Sequence, residues 1–426
     1  MQSFRSSARL LEKEHKFLLA VLGAASFFEG YDFNIVAVAL PQIRETFGLT
    51  VQAAALWISL LFLGALPAIF LTRRADKIGR RKLLLVSIIG YTIATGATAF
   101  APSMSIFVIC QFTARLFLSA EGAIVWTMVT EELPAGARGL GFGWLAMLNA
   151  LGTGFGSIIY AVALAPNGIS WRWLYLVALP PLVGIAYLRR KLPESRRFVE
   201  ARDAGGLAKK WHQILQKPHR RWLILVSLTA MLGALTTQAG FFAIDFMQTD
   251  RGMSPTASNL ILVSAGAMGI PVLLIAGALS DRLGRKVVGC SFAVVGVIGA
   301  VGFFFVPGGA PILFASLFIS LVGQFGAWPT LNAFSTELFP TALRGQAGAW
   351  ATVFRVAGQF LSFSLAGVLI AKLGSLPRAV LVLALGPLAT IFLIAVFFPE
   401  TKGRELEELH FQPGDSSGET AASITS

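Results

Sequence analysis

Apolar residues gather along the chain into twelve long runs separated by polar or Pro/Gly-containing turns, beginning near Phe17, Ala53, Leu83, Met104, Phe142, Trp171, Trp222, Ser258, Val287, Ile312, Gln346 and Arg378. Each is about 18 to 28 residues long, and hydrocarbon some 30 Å thick needs roughly 20. The pattern predicts twelve membrane crossings, with both termini on one face because the number is even. All connections are short except one, a basic stretch over about residues 191 to 221.

Composition agrees: 55% of residues are apolar and only 13% are Asp, Glu, Lys or Arg, against about 25% charge in soluble chains. A water-exposed fold, a coiled coil and a disordered chain are excluded. The net charge of +13 could suggest nucleic-acid binding, but its distribution says otherwise. The face of the termini collects 28 Lys and Arg and the opposite face five, Arg44, Arg172, Arg251, Lys372 and Arg378; only Arg115 and Arg355 fall inside runs. Such asymmetry predicts cytoplasmic termini by the positive-inside rule and no nucleic-acid partner. The first run is of spanning length and follows LLEKEHK, so it reads as an uncleaved helix. The expectation is a multi-pass inner (plasma) membrane protein. Cys110 and Cys290 read as isolated small hydrophobes within spans.

The two halves repeat. ADKIGRRK, with Asp76 and Arg80, recurs as SDRLGRK, with Asp281 and Arg285, at an offset of 205 between the two Asp; EELPAGARG, with Glu131 and Arg138, recurs as ELFPTALRG, with Glu337 and Arg344, at 206; Pro193-Glu194 recurs as Pro399-Glu400, again at 206. Three landmarks in order predict two pseudo-symmetric six-helix bundles, residues 1–190 and 222–410, a cytoplasmic linker at 191–221 and a disordered tail at 411–426.

With these motifs the chain resembles the major facilitator superfamily over essentially its whole length. SDRLGRK preceded by Gly277 fits that family's loop signature. PESRRF and PETKGRELEEL resemble the sugar-porter signatures. EGYD in the first span, Arg115 and Glu121 in the fourth and VFRVAG in the eleventh resemble the metabolite, aromatic-acid and synaptic-vesicle-protein-like branches. The resemblance implies an all-α membrane fold and transport by alternating access, powered by a proton gradient with no cofactor. It also implies that Asp76, Arg80, Glu131 and Arg138, with Asp281, Arg285, Glu337 and Arg344, form networks closing the cytoplasmic side. The alternative is helix termination plus topogenic charge. The first copy departs from the family pattern, with Thr72 where a small Gly is usual and Arg74 where an apolar residue is usual.

Ionisable residues at membrane depth are costly and hence candidate functional groups. Glu29 and Asp32, three residues apart, share a face of the first span. Two carboxylates on one dry face repel, which favours keeping a proton on one of them, as proton coupling requires. Glu121 is a further candidate for that role. The competing reading is structural acids neutralised by Arg115 or Arg355. By the repeat offset Asp32 maps to Gln238, Glu121 to Ala327 and Arg355 to Asn149, so acids belong to the first half and Arg355 is a cation peculiar to the second. The superfamily's cavity-lining spans make Gln238, Thr237, Gln324 and Asn332 candidate ligands, and Trp126 a candidate cavity floor. Arg115 and Glu121 stand about 240° apart on one helix, so only one can face the cavity centre. Gly152 and Gly156 form a GxxxG packing pair.

The function expected is a proton-coupled symporter, monomeric, of a small polar metabolite, most naturally a carboxylate held by Arg355; a sugar or polyol symporter is the alternative. Walker and HExxH motifs are absent, and the GxSxG match at Gly414 to Gly418 falls in the polar tail, which argues against an enzyme or an ATP-driven pump.

Overall fold

A computed structural model describes residues 12–134, 137–192, 194, 213–215, 219–339 and 343–400. The expected tail and most of the central linker lie outside these residues. The described secondary structure is helical throughout. Twelve helical spans succeed one another: α1 Lys13–Val38, α2 in two pieces Val51–Leu63 and Ala68–Ile78, α3 Arg80–Ala99, α4 Met104–Glu132, α5 Arg138–Ile159 and α6 Arg172–Arg189. The second half has α7, whose pieces are His219–Gly233, Thr237–Phe241 and Ala243–Thr249, then α8 Pro255–Leu283, α9 Arg285–Phe305, α10 Ala310–Glu337, α11 Arg344–Leu373 and α12, Leu376–Leu383 with Leu385–Phe397.

Ten of these are long and apolar enough to cross a membrane by length and composition alone. The two others are α1, which carries Glu29, Asp32 and a charged first turn, and α6, whose ends are Arg172 and Arg189. Most helices begin a few residues before their apolar runs, and four of the spans start on polar caps. Thr50, Ser103, Ser254 and Ser375 each accept the backbone N–H three residues on, satisfying a donor the helix itself cannot. Apolar runs also miss internal breaks. α2 parts around Gly64 and Pro67, where proline lacks the N–H the helix needs, and a Cβ at Gly64 would lie 2.4 Å from the Phe112 carbonyl of α4. α5 passes into a π turn at Tyr160–Leu164.

The internal repeat is visible in the backbone. Gly79 between α2 and α3 has φ 104° and ψ 148°, and Gly284 between α8 and α9 has φ 110° and ψ 149°. Side chains rarely adopt that conformation, and a Cβ there would also strike the Glu194 and Glu400 carboxylates, respectively. Those two glutamates, 206 apart, occupy equivalent places.

α1 and α5 cross closely: a Cβ on Gly30 would lie 1.9 Å from the Asn149 carbonyl, and one on Gly152 1.8 Å from the Phe27 carbonyl. Gly156 faces the Tyr31 ring, so the GxxxG pair is a packing groove. The half of the molecule away from the termini, here the far face, has one hydrophobic core shared by both bundles, running from Ile35, Ile58 and Phe107 to Phe242, Phe303 and Phe363. At the terminus face the cores are separate: one around Leu22, Leu84 and Met128, the other around Val226, Phe334 and Phe398. The bundles therefore meet at the far face.

Candidate functional site

α1 brings its two acids to the middle of the first bundle. Asp32 is 1% exposed, and neither carboxylate oxygen has a hydrogen-bond partner among the described residues. The Arg115 guanidinium of α4 and the Tyr91 hydroxyl of α3 lie within electrostatic reach of it. Glu29, partly buried, packs against Gly122 of α4, with the Asn149 amide of α5 beside it and Arg115 and Glu121 acting on its charge. The charged neighbour of both acids is thus Arg115. Arg115 places its guanidinium carbon 5.0 Å from the centroid of the Phe33 ring and 5.1 Å from that of Phe62, a doubled cation–π contact.

Glu121 turns the other way, as its angular offset from Arg115 requires. It pairs with Arg189 of α6 at 2.5 Å, with side chains 4% and 0% exposed, and Arg189 also donates to the Leu84 carbonyl at 3.0 Å. That pair corrects the expectation of a cavity-facing proton site at Glu121: its charge is already met by a cation packed between α3, α4 and α6. Arg189 escaped notice in the sequence because it opens the basic run Arg189-Arg190-Lys191, which reads as topogenic charge. Breaking a buried pair by removing one partner costs about 3–5 kcal/mol. Arg189→Met should therefore lower the thermal midpoint of the purified protein well below that of a surface control such as Arg190→Met, and Glu121→Gln in the same chain should recover part of the loss. An unchanged midpoint in Arg189→Met would show that the pair carries little stability.

The buried cluster therefore contains three carboxylates, Glu29, Asp32 and Glu121, and two guanidiniums, Arg115 and Arg189. Uncompensated charge is expensive away from water, and one added proton makes the set neutral.

The other expected ligands differ in their surroundings. Gln238 is fully buried, and its side-chain oxygen accepts from Ser362 of α11, whose hydroxyl also meets the Leu235 carbonyl. Thr237 donates to the Ala234 carbonyl of its own helix. Gln324, exposed on α10, bonds Ser320 one turn earlier. Trp126 is 47% exposed and stacks on Phe142 of α5 with ring centroids 5.0 Å apart. Arg355 is half-buried on α11. The Asn332 side chain lies outside the described set.

At the terminus face the bonds between described residues join groups of one bundle. Arg80 pairs with Glu131 at 3.0 Å, while Glu194 accepts from the backbone N–H groups of Arg80 and Arg81. Arg138 donates to the Leu133 carbonyl near the end of α4, a helix-terminating role. In the second bundle Glu400 accepts from the N–H groups of Arg285 and Lys286, and Arg285 bonds the Ser280 hydroxyl. Glu194 and Glu400 hold helix N-termini, where negative charge is favoured. The side chains of Asp76, Asp281, Glu337 and Arg344 lie outside the described set.

The cross-bundle bonds among the described residues are at the far face. Arg44, just beyond α1, bonds both carboxylate oxygens of Asp245 on α7 at 2.5 and 2.6 Å. Gln42 donates to Gln248 at 3.0 Å, and the Thr256 hydroxyl of α8 to the Ala161 carbonyl of α5 at 3.0 Å. Arg44 reads in the sequence only as one of five basic residues on that face. Nothing in spacing joins it to Asp245, some 200 residues away.

Two bundles that meet at one face, with a buried charged cluster inside the first, suit a carrier. A family model described as Major Facilitator Superfamily matches residues 22–363 and 231–417. The chain belongs to the Major Facilitator Superfamily. It is a multi-pass membrane transporter of small molecules, not an enzyme. Among its relatives, a niacin transporter of Acinetobacter baylyi is 24% identical over 93% of this chain and 97% of its own length. A glucose transporter of Staphylococcus epidermidis is 26% identical over 95% and 99%. In fold, this superfamily member is similar to the xylose transporter from E. coli, with a TM-score of 0.72 and 19% identity over 92% of this chain and 98% of that one.

Proposed function

We propose that this transporter is a proton-coupled symporter of a small carboxylated metabolite, working by alternating access with its termini in the cytoplasm. The observation that carries the proposal is the surplus carboxylate of the first-bundle cluster. Three acids against two guanidiniums leave one site to take and release a proton, and Asp32, without a hydrogen-bond partner of its own, is the member best placed to do so. The basic excess on the terminus face supports the orientation, and a core shared only at the far face is then the arrangement of an inward-facing carrier. Arg355 supplies the second bundle with a guanidinium at membrane depth, and a planar two-pronged donor suits a carboxylate. The likeness to a niacin transporter points the same way.

A sugar or polyol symporter is the competing reading, favoured by the likeness to a glucose transporter and by Gln324, a neutral hydrogen-bonder exposed on α10. Uptake by proteoliposomes with an acidic exterior, across aromatic acids, aliphatic acids and sugars, separates the two. The expected result is accumulation of an acid that Arg355→Gln weakens about 30-fold in apparent affinity, the equivalent of some 2 kcal/mol for a partly exposed charge pair. Tight binding of the acid by Arg355→Gln would remove Arg355 from the site, and accumulation confined to sugars would establish the alternative.

A further inference from the structure

The Arg115 guanidinium is close enough to act on both helix-1 acids, yet Asp32 keeps two carboxylate oxygens without a hydrogen bond. An arginine so near a buried carboxylate would ordinarily close a bidentate pair with it. What occupies the guanidinium instead is aromatic. Its flat face lies over Phe33 of α1 and Phe62 of α2. Phe62 is 2% exposed and cannot swing aside: it stacks on Phe363 of α11 with centroids 5.0 Å apart and an interplanar angle of 18°, and Phe241 of α7 meets it at 6.2 Å. The ring that holds Arg115 is thus itself held by two helices of the other bundle. Phe33 completes the group, edge-on to Phe62 with centroids 6.4 Å apart.

We propose that Phe62, together with Phe33, is a positioning residue for Arg115: the two rings hold the guanidinium off the Asp32 carboxyl and so set the pH range over which Asp32 gives up its proton. The inference deepens the symport reading and rests on it for its physiological meaning. The other groups facing Asp32 are hydroxyls, those of Tyr91 on α3, Tyr175 on α6 and Tyr31 on its own helix, with Glu29 acting on the same Arg115. Among the described residues Arg115 is the one cation acting on Asp32, so its distance from Asp32 decides how readily the carboxyl O–H breaks and passes its proton to water. Leucine at position 62 keeps an apolar side chain but offers no π face. The guanidinium then turns to the carboxylate and pairs with it, and an opposite charge in contact favours the ionised carboxyl by about 1–3 pH units.

The test titrates the full-length chain in liposomes by infrared difference spectroscopy, reading the protonated-carboxyl C=O band that Asp32→Asn removes. In Phe62→Leu the pH at which this band is half lost should fall by about one unit or more. Phe33→Leu, at a position 39% exposed and therefore tolerant, should move it the same way and serves if Phe62→Leu does not insert. An unchanged or raised midpoint in both variants would overturn the proposal. Failure of the symport reading looks different: wild-type proteoliposomes would accumulate no solute under a pH gradient while the band still titrated and still moved in Phe62→Leu.

Discussion

Asp32→Asn should abolish accumulation of the substrate against its gradient while leaving counterflow within a few-fold of wild type. Asparagine has the shape of aspartate and cannot carry the proton. Neither Asp32 oxygen has a described hydrogen-bond partner within bonding geometry, and the substitution removes a charge that burial makes costly, so the variant should fold and insert as well as wild type. Arg115 keeps Glu29 as a counter-charge. One proton moving down a gradient of one pH unit supplies about 1.4 kcal/mol, enough for roughly tenfold accumulation. The wild type should approach that ratio and the variant should stop near equality. Wild-type uptake should rise as the exterior is acidified, since the loaded carrier needs the proton, and uptake by Asp32→Asn should be flat over the same range. Tenfold accumulation retained in Asp32→Asn but lost in Glu29→Gln would move the proton to Glu29. Retention in both variants would end the case for coupling through this cluster.

Arg44→Ala should loosen the far face. In the closed arrangement Asp245 is fully buried and both its oxygens are taken by Arg44. Without the arginine the carboxylate stays buried and unpaired as long as the bundles touch, and it gains water only when they part. Leaving a fully buried charge without its partner costs about 3–5 kcal/mol. The Arg44 side chain is 15% exposed, so about 2 kcal/mol is the better figure, a roughly 30-fold shift of the equilibrium toward separation at the far face. Asp245→Asn, which removes the charge itself, should shift it less. Spin labels at Glu45 and Asp250, exposed residues on either side of the latch, report the change in a chain whose Cys110 and Cys290 have been replaced. The expected result is a longer-distance population in Arg44→Ala that is minor in wild type; an unaltered distance distribution would show that apolar packing alone closes this face.

Both expectations depend on contacts that differ in how visible they are in the chain. Glu29, Asp32, Arg115 and Arg355 stand out in the sequence because charge is rare inside apolar runs, and the membrane makes each one expensive. Glu121 stands out for the same reason, but its role turned on Arg189, which hides in a basic run at the end of α6. Cavity-lining positions were harder still. Gln238 and Thr237 lie on a suitable span, and only side-chain packing shows that the Gln238 oxygen meets Ser362 and the Thr237 hydroxyl its own helix.

The sequence by itself determined twelve crossings, the two-fold repeat and the asymmetry of basic charge, because hydrophobic length, repeated motifs and loop composition are local quantities. It also showed that the intramembrane acids belong to the first half. The tertiary structure decided which groups meet: Glu121 with Arg189, Arg44 with Asp245, and Arg115 with two phenyl rings instead of the Asp32 carboxylate. It also placed cross-bundle bonds among the described residues at the far face. Each of these is a contact between residues tens to hundreds of positions apart. Their partners are chosen by how helices pack, which no spacing along one helix records.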